Sequence, residues 1–117
     1  MKIDDYRKAI NGEGCLADTW TDKPHRLVYD LCNEAYRLVA GLNTIETACS
    51  LLLPHTQRTH RCALLNIEQL RNAPSGDGVF GRLWKSSPGL IITKLCDNIE
   101  AMRTKILNIR LTILKVY

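Results

Sequence analysis

Apolar residues recur along this chain at the three- and four-residue spacing that lines one face of a helix, and almost nowhere at the two-residue spacing of a half-buried strand. Between residues 23 and 40 the pattern Leu27, Val28, Leu31, Cys32, Ala35, Leu38, Val39, Leu42 predicts a helix with one buried face. Thr21 or Asp22 caps it, Pro24 sits in its first turn and Gly41 stops it. Asn43 followed by Glu46 has capping-box spacing and predicts a third helix carrying Ile45, Ala48, Cys49, Leu52 and Leu53, ended by Pro54. A fourth follows over 57–72 on Cys62, Ala63, Leu64, Ile67 and Leu70. Before these, residues 3–11 form a short first helix with Asp4 and Asp5 in its opening turn, and Gly12 and Gly14 make a joint behind it. Residues 72–78 collect turn formers and read as a surface loop, and 79–85 show no clear period.

The longest signal comes last. Ser87-Pro88 opens a segment free of proline and glycine from Leu90 to Tyr117. In it Ile92, Leu95, Ile99, Met102, Ile106, Ile109, Ile113 and Val116 repeat for four heptads, with isoleucine at every a position. This row is a packing seam, either for the core of a bundle or for a homodimer through a coiled coil, since β-branched residues at a favour parallel two-stranded pairing. Leu107, Leu111 and Leu114 lie off that row, so the last turns are apolar on more than one side and need a cover. The expected architecture is all-α: a four- to five-helix bundle with a long C-terminal helix, one domain over residues 1–117, with 1–20 a loosely attached segment.

Composition narrows the function classes. A chain of 117 residues, 45% apolar and 24% charged, is one globular domain, too short for a two-domain dehydrogenase, a kinase or a barrel enzyme. Five cysteines, an odd number without a C-x-x-C pair, argue for a reducing compartment. An acidic start and the lack of a run of about 18 apolar residues argue against a signal peptide and a membrane span, so the expected location is the cytoplasm. The net charge of +4 is uneven: residues 1–54 hold six Lys/Arg against eight Asp/Glu, whereas residues 55–117 hold ten against four. A basic half raises the odds of an acidic partner, protein or nucleic acid, without choosing between them.

The densest polar cluster runs from His55 to Cys62. Cys49, His55, His60 and Cys62 are zinc-binding types, but C-x5-H-x4-H-x-C fits no usual ligand ladder, and no metal or cofactor is expected. Cys49 and Cys62 read instead as small core hydrophobes. Arg58 and Arg61 share a helical face near His55 and His60, and Arg82, Trp84 and Lys85 add a basic and aromatic strip. Together these seven residues are the candidate partner-binding set. The motifs of the P-loop, the serine hydrolases and the zinc proteases are all missing, and the nearest acid–base grouping, His25 with Asp30 and Glu34, reads better as solvated helix pairs that include Arg26 and Arg37. Cys15 has no neighbour in sequence that activates its thiol. The protein is therefore expected not to be an enzyme.

The stretch Trp20-Thr21-Asp22-Lys23-Pro24-His25-Arg26-Leu27-Val28-Tyr29-Asp30-Leu31-Cys32 resembles a segment of small accessory proteins of enterobacterial temperate phages. It covers about a tenth of the chain and matches no catalytic residue. The resemblance implies a part in the contest between phage and host, in the manner of anti-CRISPR inhibitors, which cover a surface on a host protein or ribonucleoprotein complex. The resulting expectation is a steric and electrostatic inhibitor or regulator of a host complex. The alternative is a small helical DNA- or RNA-binding protein that uses the basic C-terminal half.

Overall fold

The computed structural model describes residues 2–48 and 56–116, and within them the side chains of 2–45 and 61–111. Those residues form helices and no strand: α1 (Ile3–Ala9), α2 (Ala17–Asp22), α3 (Pro24–Ala48), α4 (Thr56–Arg71), a 3-10 turn (Ala73–Ser75), α5 (Gly78–Ser86) and α6 (Pro88–Val116). The fold is all-α with a long C-terminal helix.

α3 is the middle of the assembly and packs on α6 to one side and α4 to the other. Its predicted face is the buried one, from Leu27 and Val28 through Leu31, Cys32 and Ala35 to Leu38, Val39 and Leu42. The helix does not stop at Gly41 but continues to Ala48, through the start of the predicted third helix, whose remainder from Cys49 to Leu53 lies outside the described residues. A stop there requires the left-handed conformation that Gly12, Gly14, Gly76 and Gly78 adopt and Gly41 does not. The helical cost of an interior glycine, about 1 kcal/mol, is smaller than the gain from keeping Leu42 on the buried stripe. Asn43 is accordingly mid-helix and caps nothing.

The N-terminal segment is docked rather than loosely held. Ile3, Tyr6 and Ala9 of α1 enter the core, and Arg7 donates to Asp97 (2.7 Å) and Glu100 (2.8 Å) of α6. Two short helices stand where none was predicted. α2 carries Trp20, which meets Trp84 of α5 edge to face, centroids 6.0 Å apart. α5 packs on the 3-10 turn and on α6. The result is a thin slab of 49 × 30 × 16 Å. Its radius of gyration of 15.9 Å exceeds the roughly 13 Å of a compact chain of this length, because a helix of 29 residues extends about 43 Å.

One ion-pair cluster ties α3 to α6. The Glu34 carboxylate, on a side chain 10% exposed, accepts from Arg37 at 2.6 Å and from Arg103, 69 residues away, at 3.1 Å. The Arg37 guanidinium, with Arg103 behind it, holds the Glu34 carboxyl below the usual carboxylate range against the upward pull of burial. A depressed folded pKa contributes stability that is present above the unfolded value of about 4.3 and is lost as pH falls through the folded one. Glu34→Gln is therefore expected to cost about 1–2 kcal/mol near neutral pH, with the difference from the parent shrinking below about pH 4. Urea titrations of both proteins from pH 7 to pH 3 measure it. A difference constant down to pH 3 contradicts the pairing.

Candidate partner-binding surface

Of the predicted binding residues whose side chains are described, Arg61 stands on α4 and Arg82, Trp84 and Lys85 on α5. His55 and the side chains of Arg58 and His60 lie outside the described residues, and Arg61 is exposed on α4. α5 is attached to the 3-10 turn just beyond Arg71, about 15 Å along α4 from Arg61. On α5, Arg82 and Lys85 are three apart on the outward face. Trp84 turns the other way, half-buried against Trp20, where it pins a short helix to the body of the protein. Cys62 is exposed, which corrects its assignment to the core. Cys49 lies outside the described residues.

The seam of α6 divides in two. Ile92, Leu95 and Ile99 are fully buried in the core of their own chain, joined by Ile91 and Cys96, so over these turns no seam is left for a second copy. Met102 and Ile106 are partly buried against the edge of that core, and Ile109 is half-buried. The side chains of Ile113 and Val116 lie outside the described residues. The second apolar row behaves differently: Leu107 is 56% and Leu111 48% exposed.

Beside that row the distal part of α3 and the distal part of α6 enclose a groove of about 320 Å³. Leu38, Gly41 and Ile45 come from α3, Ile106 and Leu107 from α6, and Arg37, Arg103 and Arg110 stand around them. Arg37 and Arg103 are held in place by their shared carboxylate, Glu34, while the Arg37 side chain remains 70% exposed. Fixed guanidinium groups beside exposed leucines combine planar hydrogen-bond donors with desolvatable area, the composition enriched at the energetic centres of protein interfaces. The off-row leucines were visible in the sequence as a face needing cover. Leu38, Ile45 and the arginines were not assigned to it: the packing of α3 on α6 that brings them together is tertiary, and for Ile45 it also depends on α3 running past Gly41.

The remaining candidates for chemistry are quiet. Cys32 and Cys96 are buried, and burial pushes their thiols up to about 12 and about 11, which keeps them protonated and poor nucleophiles. Cys15 is exposed. Among the described residues no three metal-ligating side chains gather, and no helix is long and apolar enough to cross a membrane. No protein family, curated protein or solved structure matches this chain.

Proposed function

We propose that this protein acts by binding and not by catalysis: the groove between the distal parts of α3 and α6 takes an apolar, acidic face of a protein partner. In this reading it is a phage-type inhibitor or regulator that occludes a host complex sterically. The observation that carries the reading is the division of α6. The seam of the first half, Ile92, Leu95 and Ile99, is fully buried in the core, and the second half holds exposed Leu107 and Leu111 beside arginines fixed by Glu34. The rigid half sets the position of the other, so the apolar strip is presented without an ordering cost at the moment of binding. Carboxylates on the partner would pair with Arg37 and Arg110, and its apolar side chains would fill the space over Leu38 and Ile106.

Leu107→Asp tests this directly. The side chain is exposed, so the variant should unfold within about 0.5 kcal/mol of the parent. An aspartate in the middle of the strip should weaken partner capture by roughly thirtyfold, the size of one central interface residue. The measurement is capture from nuclease-treated enterobacterial lysate on immobilised parent and variant protein, read by quantitative mass spectrometry. A partner enriched by the parent and lost from the variant supports the reading. An identical captured set, or enrichment seen only in a parallel lysate without nuclease treatment, overturns it.

A further inference from the structure

A second recess, of about 810 Å³, lies at the opposite end of α3, about 22 Å along the helix from the groove. One wall is the first two turns of α3 with Lys23, His25, Arg26 and Tyr29, and the other is the end of α4 with Arg71 followed by the 3-10 turn. Arg26 and Asp30, four apart, share a stripe of α3, and Lys23 stands just before its first turn. The opposite wall is well fixed: Ala73 is fully buried, and the Ser75 hydroxyl donates to the Asn72 carbonyl at 2.6 Å. The Arg71 guanidinium stands 5.0 Å from the centre of the Tyr29 ring, yet Tyr29 keeps 48% of its surface exposed.

The charge balance of this recess is uneven. On other faces of the protein Arg7 meets Asp97 and Glu100, and Arg37 and Arg103 share Glu34. In the recess three permanent cations, Lys23, Arg26 and Arg71, face each other across the gap with one carboxylate, Asp30, among them, and none of the four makes a salt bridge. Like charges converging on a concave surface repel one another and raise the local concentration of anions. An aromatic ring with an open flank in the same recess adds a surface on which a planar group can stack.

We propose that this recess binds a phosphate joined to a nucleobase, with Lys23, Arg26 and Arg71 on the phosphate and Tyr29 under the base. The volume lies within the range of sites that bury small ligands and is several times that of a bare phosphate. Two guanidinium groups supply the forked donors that phosphate oxygens accept in pairs. A free nucleotide and a stretch of single-stranded nucleic acid present the same chemistry. The recess draws on both halves of the chain, and it does not depend on the protein-binding groove.

Fluorescence anisotropy of labelled dT12 and U12 at about 50 mM salt, with competition by the matching nucleoside monophosphates, tests the assignment. Arg26→Gln and Arg71→Gln should each weaken binding roughly tenfold, the loss of one charge-assisted contact. Tyr29→Ala should weaken it about fivefold or more and Tyr29→Phe should leave it unchanged. Leu107→Asp should bind like the parent, which keeps this result apart from that of the groove. Arg26 is exposed, so its variant stays folded and informative even where Arg71→Gln perturbs the stack on Tyr29. Displacement of the oligomer by the monophosphate identifies the free nucleotide as the ligand, and binding of the oligomer alone identifies the strand; either supports the proposal. No binding of either, parent-like affinity in Arg26→Gln, or equal displacement by a glutamate-rich peptide of matched charge overturns it.

Discussion

Replacing Leu95 with alanine is expected to remove about 3 kcal/mol of folding stability, while the same replacement at Leu107, twelve residues further along the same helix, should change it by no more than about 0.5 kcal/mol. Leu95 has no exposed surface and lies in α6 where that helix crosses α3, among Ile91, Ile92 and Ile99. Truncating it loses the transfer free energy of three carbons and leaves a cavity whose walls belong to long helices that cannot collapse independently. Leu107 already has more than half its surface in water, so truncation there opens no cavity. A chain of this length has a total stability of roughly 6–17 kcal/mol, so the first loss is large enough to lower the melting temperature by about 10 °C. Urea unfolding of both variants reads the difference. Equal losses at the two positions would mean that α6 is covered along its whole length, as a homodimer through the distal seam requires.

Gly81→Ala should be comparably damaging although it adds a single carbon. A Cβ at position 81 runs into the carbonyl group of Gly76 and comes within 2.9 Å of its Cα, and these are backbone atoms that no rotamer change can move aside. Gly76 is itself fixed, since its φ of 86° closes the 3-10 turn in the left-handed region. The clash can be relieved only by lifting α5 off the turn. That movement withdraws Phe80 and Leu83 from the edge of the core and parts Trp84 from Trp20. The expected cost is about 3 kcal/mol, at the upper end for overpacking of a tight site. The chain has two tryptophans, and they are this pair, so intrinsic fluorescence reports the movement as well as the melt. Stability and emission unchanged from the parent would contradict the close approach of α5 and the turn.

What the sequence revealed and what it hid follow from how far each signal reaches. The buried face of α3 and the first half of the α6 seam were legible because three- and four-residue spacing is a local code. Gly41 misled because glycine carries a local helix-stop signal, whereas the burial of Leu38, Val39 and Leu42 that overrides it is tertiary. α5 was missed for a related reason: its closest contact is made by a glycine, which adds nothing to a hydrophobic pattern. Pairing of Glu34 with Arg37 was visible as a helix spacing, but Arg103 joins them from 69 residues away. Of the candidate surface, Leu107 and Leu111 could be read as an extra apolar row, and their neighbours across the groove could not. Arg26 of the second recess was read as a solvated helix residue, since nothing local places Arg71 opposite it.

The claim on which the proposed binding function stands is that α6 serves two purposes, core in its first half and presented surface in its second. Native-state hydrogen exchange along this helix tests it most directly, because opening free energies distinguish packed turns from turns with one side in water. Protection near the global unfolding free energy for the amides of Ile91 to Ile99, falling by at least about 2 kcal/mol from Lys105 to Leu111, is the predicted profile. Uniform protection from Ile91 through Leu111 in the isolated protein would contradict it.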